Sequence, residues 1–537
     1  MYRLPDDHDA DCERSASVRF LRNVEALRVA ARVWNTQEGA ATDEDREVLR
    51  LYSGFGDAGV ADLAFDYDGR PKGALGALRL RDDWIRGVRR SCLDAFYTPV
   101  GVVDAVWKIA ERFGGLRGTP LVLEPSCGVG NFLGRAPAHL SASSFVGVEA
   151  DLGAAAICRA LYPARIASRP FEDVAKDLPP FDLVVGNVPF GQRTMHDEEL
   201  PPGCRSTLHD YFVARSVLAL RRGGLAVLLT STGTLDKVRS EGRAWLAARA
   251  ELVFAARLPT GSFVGTDADA DLLVLRRRDV DLVRADDTWI RSVRLGGAAD
   301  AGSGWRDVLA AYPELGGASL SSVFVERPDL AVGEWAAARN QYAKVEPIVR
   351  WPDDVNGPAS DRASVRLARS AWLRREILAR AAAIAPAEEP REEAPPAHTE
   401  AVEALPPAAA APPLQRSAER LLKALRAMLA AQLEGAGEDE LRILRAVHAD
   451  FVRRFGRVRD VVVKPFRDTP LGRAWPLLRT LEEVDGSPGP ALRRRLVAGA
   501  EAPRPLDLTE ALYVVLDRWG RVDLDAVAEI MNRQEAA

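Results

Sequence analysis

The chain has 537 residues, 47% of them hydrophobic, and a formal net charge of −5. At roughly 150 residues per domain, that length predicts three or four domains with ample apolar cores, and the acidic balance is not the basic footprint usual for a nucleic-acid binder, although local charge can hide within it. No run of about 18 uncharged apolar residues predicts a membrane span, the acidic start "MYRLPDDHDADCERSAS" has no secretory core, and Cys12, Cys92, Cys127, Cys158 and Cys204, without a CxxC, argue against disulfides and zinc and for a reducing cytoplasm.

Apolar residues at helical spacing predict a helix over 16–36. A second helix is predicted from near Thr42, where "TDED" supplies an N-cap and early acids, to the glycines Gly54 and Gly56. Residues 1–90 thus read as an N-terminal helical region. From 91 to 283 short apolar runs alternate with helical stretches: "TPLVLEPS", "SFVGVEAD", "FDLVVGN", "GGLAVLLTS", "ELVFAARLP" and "DADLLVLRR". That alternation predicts an α/β domain with a parallel or mostly parallel sheet wrapped by helices. Residues 284–382 are mixed and form an accessory region, a candidate for DNA recognition. Residues 383–415 are Pro, Ala and Glu with almost no large apolar side chains, which predicts a disordered or semi-rigid linker. Residues 416–537 read as mainly helical. The Arg-rich runs at 361–380 and 452–467 are most simply solvated helix faces.

One stretch inside the α/β region is not generic. "FDLVVGNVPFG" (181–191) is a core strand that ends in an amide, a proline and an aromatic ring. A turn would explain it. So would a ligand, because open α/β sheets bind ligands at the carboxyl ends of their strands. Upstream lies "LVLEPSCGVGNFLG" (121–134), a strand, an acid, Gly128 and Gly130, then a helix. Glycines at such a turn let the backbone approach a ligand closely. "FVGVEAD" (145–151) then ends a strand in Glu149, at the distance where such folds grip ribose hydroxyls. Phe171 and Glu172 follow a third short run, and Asn187 a fourth. The glycine loop lacks G-K-[ST], and Glu124 would repel a pyrophosphate. A cationic or neutral ligand with a ribose and a purine fits better, and S-adenosylmethionine is such a ligand. Glu124 would face its charged end, Glu149 its ribose, and Phe171 with Glu172 its adenine.

"EPSCGVGNF" with "NVPFG" resembles motifs I and IV of the amino-methylating DNA methyltransferases, and "AFYTPVGVVDAVW" (95–107) resembles their motif X, placing Tyr97, Thr98 and Pro99 at the methionine end of the cofactor beside Glu124, Pro125, Gly128 and Gly130. Motif X preceding motif I is the order of the gamma class of N6-adenine enzymes. "RLPTGSFVGTDADADLLVL" (257–275) resembles their motif VIII strand pair. A narrower likeness, through "GNVPFG", "HDYF" and "ATDEDREVLRLYSGFGD", is to phage and mobile-element proteins that fuse an adenine methylase to a Swi/Snf-type helicase. No Walker A G-K-[ST] occurs, so a helicase is expected to be either a separately encoded partner or absent. The resemblance implies a Rossmann-like S-adenosylmethionine-dependent methyltransferase sheet with flanking helical domains, acting on DNA, with no metal and no membrane.

It also assigns roles. The Asn187 side-chain oxygen and the Val188 carbonyl accept the two N6 hydrogens of a flipped adenine, Pro189 stiffens the loop, and Phe190 offers a stacking face. Phe263 is a second candidate for the target-base pocket and equally a plain core residue. His209 and Asp210 are expected to cap or buttress the loop, and Cys127 to be a small loop residue. A methylase of the same fold acting on RNA or on a protein glutamine is the alternative, and a catalytically idle DNA-binding subunit a third reading.

Overall fold

The apolar runs come together as one seven-stranded sheet in the computed structural model, which describes residues 2–35, 41–94, 96–283, 287–296, 302–340, 343–355, 362–384, 413–433, 438–455 and a few single positions between 457 and 492. The strands are β1 (Val122–Glu124), β2 (Phe145–Val148), β3 (Arg165–Ala167), β4 (Phe181–Asn187), β5 (Leu220–Ser231), β6 (Ala250–Arg257) and β7 (Ala270–Arg277). Their order across the sheet is β3-β2-β1-β4-β5-β7-β6. The first five run parallel, and β7 runs antiparallel between β5 and β6. Strands covered on both faces should read as unbroken apolar runs. They do: Leu183, Val184 and Val185 in β4 and Ala226, Val227, Leu228 and Leu229 in β5 are all fully buried. The protein therefore has an α/β fold on a mixed, mostly parallel sheet.

The chain builds β1, β2 and β3 outward in one direction, then returns to lay β4 on the other side of β1. Such a reversal opens a crevice at the carboxyl ends of the two central strands. Glu124 ends β1 and Asn187 ends β4. The fold thus brings together two of the acceptors singled out in the sequence.

By its internal contacts the chain divides into two compact units, Met1–Leu405 and Pro406–Ala537. Within the first, one apolar core runs from Phe20 in the N-terminal helices through the sheet to Ala381. The helix Ala16–Asn35 forms as its spacing predicts. The next does not run to the glycines. It is Asp43–Leu49, opened by a capping box between Thr42 and Asp45. It stops early because Tyr52 and Phe55 turn into the core, and because the side chain of the fully buried Asn23 takes over the backbone bonds there. Asn23 Nδ2 donates to Gly54 O (2.5 Å), and Ser53 N donates to Asn23 Oδ1 (2.8 Å).

In 284–382 two small antiparallel pairs, Ser292–Arg294 with Ser319–Ser321 and Glu334–Arg339 with Val345–Arg350, precede the helix Arg362–Ala382. The arginines of that helix are not simply a solvated face. Arg366 binds Glu13 (3.0 Å) and the Ser262 carbonyl (3.2 Å), the Arg369 guanidinium lies 4.6 Å from the Trp351 ring centre, and Arg380 binds the Ala331 carbonyl (2.8 Å). They fasten the helix to its own unit. The second unit contains the helices Pro413–Leu433 and Glu438–Phe455, joined through buried Leu421, Leu425, Met428 and Phe451. Most of the 383–415 linker and the Arg-rich run at 452–467 lie outside the described residues.

Candidate functional site

The crevice is built from the glycine loop upward. After β1 the chain turns tightly through Pro125–Gly130, with Gly128 at φ 53° and Gly130 at φ 87°. Both values favour glycine, and space demands it as well. A Cβ on Gly128 would lie 2.7 Å from the Tyr97 ring, and one on Gly130 2.6 Å from the Tyr162 ring. Tyr97 thus lies against the loop on the crevice side, while Gly130 packs against Tyr162 and does not line the crevice.

Glu149, just beyond β2, fixes the loop from the other side. One of its oxygens accepts from Gly128 N (2.8 Å) and the other from Asp151 N (2.7 Å). Asp151 in turn caps the helix Leu152–Leu161 through one oxygen, while its second oxygen is buried without a partner. Glu124 is 2% exposed, and its Oε2 is also buried and unpartnered. Burial raises the carboxyls of Glu124 and Asp151 above their ordinary range, and pushes Glu149 up to about 7 with help from the charge of Asp151. Four acids, Glu124, Glu149, Asp151 and Glu172, line the hollow against two arginines, Arg90 and Arg193, and Glu124 and Asp151 each keep an unpartnered oxygen.

The Tyr97–Thr98–Pro99 turn is held from several distant places. The Asn131 side chain donates to Thr98 O (3.2 Å). Pro99 opens the helix Val100–Arg112, whose first N–H, on Val100, donates to the buried Asp9 carboxylate (3.0 Å), and whose second, on Gly101, donates to Ser370 Oγ (2.8 Å). Pro99 therefore positions the turn without lining the crevice.

Asn187 faces this turn across the crevice. Its Nδ2 donates to the Phe96 carbonyl (3.2 Å). That bond fixes the amide's orientation, because only its nitrogen can donate to a carbonyl. The oxygen, Oδ1, is then left buried and without a partner. The backbone around it is equally fixed: Ser126 Oγ donates to Asn187 O (2.9 Å), and Val188 N donates to Leu229 O (3.0 Å) on β5. Pro189 continues the crevice wall. Phe171 lies against Phe212 with ring centres 4.8 Å apart and planes tilted by 36°, and Glu172 pairs with Arg193 (3.1 Å).

The space enclosed is about 1060 Å³ including its open mouth. It is lined by Tyr97, Thr98, Glu124, Pro125, Gly128 and Glu149, and also by Phe171, Glu172, Asn187, Val188 and Pro189. Phe190, expected to offer a stacking face, is half-buried against the core and is not among the residues that line this space. Phe263 is 3% exposed, belongs to the core and does not line this space. His209 is buried, its ring nitrogen 3.1 Å from Thr207 Oγ1, and burial holds its pKa down at about 4. It supports the start of the helix Leu208–Ala219 from beneath.

Sequence reasoning missed Phe96, Asp151 and Phe212. All three lie within stretches quoted above, and Asp151 carries the signal of a helix cap directly after Glu149. It also missed Gly87 and Ser91, which reach the crevice from the helix Asp82–Asp94. No local pattern marks them.

No family model matches the chain. Over 248 residues, 45% of its length, it is 27% identical to the defense against restriction protein B of Escherichia phage P1, of which the match covers 9%. Over 194 residues, 35% of its length, it is 26% identical to the Type II methyltransferase M.CvrRI of Paramecium bursaria Chlorella virus XZ-6E, covering 50% of that protein. The chain thus spans well under two thirds of either relative. Among solved structures it is similar to the M protein of the type I restriction enzyme EcoKI, at 14% identity over 70% of this chain and 92% of that one, with a TM-score of 0.30. Similarity that low leaves the fold to rest on the sheet described above. Among the described residues no helix is long and apolar enough to cross a membrane.

Proposed function

We propose that this protein is an S-adenosylmethionine-dependent DNA methyltransferase that modifies the N6 amine of a flipped-out adenine, in a restriction, antirestriction or defence setting. The observation that carries the reading is the side-chain oxygen Oδ1 of Asn187, buried and unpartnered at the crevice while the side-chain nitrogen is tied to Phe96. A buried acceptor left open in this way is costly. An exocyclic amine is a donor that would satisfy it.

The acids fit the cofactor. Glu124, with its free buried oxygen, would hold the cationic end, Glu149 the ribose, and the Phe171–Phe212 pair the purine. When bound, S-adenosylmethionine supplies an electrophilic methyl group. Asn187 Oδ1 would accept a hydrogen bond from one N6–H and the Val188 carbonyl from the other. The amine lone pair is normally delocalised into the ring. Two fixed acceptors draw the nitrogen towards a tetrahedral arrangement and stabilise the positive charge that develops on it. No strong base is needed, because the methylated amine is cationic and readily gives up one N6 proton to water, and the buried His209 is not positioned as a base. Pro189 on the wall, and the half-buried Phe190 that follows it in the chain, would offer the surface against which the extruded base rests.

Purified protein incubated with DNA and labelled S-adenosylmethionine should yield N6-methyladenine on nucleoside analysis. Label found on cytosine, RNA or protein would replace this substrate with another. Cofactor binding with label in no acceptor would favour an idle DNA-binding subunit.

A further inference from the structure

The segment after β5 leaves the sheet beside the Asn187 loop, since Leu229 of β5 pairs with Asn187. It forms the short helix Gly233–Asp236 and then a turn through Lys237, Val238 and Arg239. The base of that turn is held from several sides. Arg257, 1% exposed and paired with fully buried Asp271, reaches Asp236 (2.8 Å). Ser321 N donates to the Asp236 carboxylate (2.9 Å) and Ser319 Oγ to its carbonyl (3.0 Å). The Lys237 carbonyl accepts from Arg243 (2.5 Å) and from Ser292 Oγ (2.8 Å). The Lys237 ammonium binds Asp210 and Thr207 Oγ1 (3.0 Å), at the start of the helix that carries the crevice residue Phe212.

The two residues that follow are left in solvent. Val238 is 67% exposed. Arg239 is exposed and, among the described residues, has no carboxylate partner, whereas Lys237 is neutralised by Asp210. A lone exposed valine needs no explanation. A buried ion network that fixes where it stands does, because buried ion pairs are weak stabilisers by themselves.

We propose that the Val238–Arg239 tip is a DNA-strand contact: Arg239 takes a backbone phosphate beside the target, and Val238 packs against the base step that the target leaves. This rests on the DNA methyltransferase reading above. Extruding a base opens a gap in the stack, and an apolar wedge lowers the cost of holding it open. A cation next to the wedge sets its register on the phosphate backbone.

The test uses the full chain and mixed-sequence DNA, duplex and single-stranded. Arg239→Ala should lower the slope of log affinity against log salt for duplex by about one, while Arg239→Lys retains it. Val238→Ala should slow methyl transfer into duplex about tenfold and leave transfer into single strands nearly unchanged, because a single strand has no pairing to break. Cofactor affinity should be the same in all of them. An unchanged salt slope in Arg239→Ala, or equal losses on both DNA forms in Val238→Ala, overturns the proposal while the methyltransferase reading stands. Tighter, Arg239-dependent binding of RNA by the wild type also overturns it. Failure of the wild type to bind or methylate any DNA overturns both readings.

Discussion

Glu149 beyond β2 and Asn187 at the end of β4 both bring oxygens to the same crevice, and they differ in what those oxygens already do. Both Glu149 oxygens accept backbone N–H groups, from Gly128 and Asp151. The Asn187 oxygen accepts nothing, while its nitrogen is fixed by Phe96. Glu149 is therefore part of the wall as well as a candidate ligand contact, because the glycine loop takes its shape from it. Asn187 is a positioned acceptor awaiting a donor. The same kind of place, the mouth of a parallel strand, serves architecture on one side of β1 and proposed chemistry on the other.

The sharpest way to break that comparison is Asn187→Ala. It removes no bond that shapes the crevice except the one to Phe96. Loss of one preorganised acceptor should reduce methyl transfer by about 10²–10³-fold or more, with cofactor affinity within about twofold of wild type and little change in melting temperature. Single-turnover rates beside calorimetry separate the two quantities. Transfer at the wild-type rate would reduce "NVPF" to a turn.

Glu149→Ala should behave in the opposite way. It strips acceptors from two backbone N–H groups, each costing about 1–3 kcal/mol if left unpaired. We expect S-adenosylmethionine affinity to fall tenfold or more and the melting temperature of the ligand-free protein to fall with it. Glu149→Gln, which keeps one acceptor, should recover part of both. A mutant that loses affinity at unchanged stability would make Glu149 a ligand contact alone.

The places of these residues in the fold were legible in the sequence to different depths. The strands were legible because buried parallel strands are unbroken apolar runs, and Leu183–Val185 could hardly be anything else. The glycine loop and Asn187 were legible because their chemistry is local: an acid, two glycines and an amide at strand ends. What was not legible depends on partners far along the chain. Nothing near Arg366 foretells that it binds Glu13, 353 positions away. Nothing near Ser91 foretells a place on the crevice. Phe263 sits in a stretch with the right motif neighbours, yet it is fully enclosed by the core, and local pattern cannot separate an aromatic ring that faces a base from one that faces leucines. The early end of the second helix has the same origin, a single buried Asn23 thirty residues upstream.

The smallest expected effect is one of pH, and it separates the two sides of the crevice without a large perturbation. The pKa of Glu149 is raised to about 7 by burial and the nearby Asp151, so the carboxyl still holds its proton where a free glutamate has lost it. Burial raises Glu124 in the same direction. A cationic ligand with donor hydroxyls favours the ionised carboxylate, so binding must expel the proton wherever it is still present. The sign follows: affinity rises with pH through 7 and is lost as pH falls below it. For one group that ionises fully on binding, the fall from pH 8 to pH 6 should be about tenfold. Calorimetry at pH 7 in two buffers of different ionisation enthalpy should register protons released on binding S-adenosylmethionine. Asn187→Ala should keep this profile, because an amide does not titrate, whereas Glu149→Gln should flatten it and leave only the part due to Glu124. A wild-type profile that is flat from pH 6 to pH 8 would mean that Glu149 stays with its two backbone partners in the same charge state throughout, and that the ligand's charge is met elsewhere.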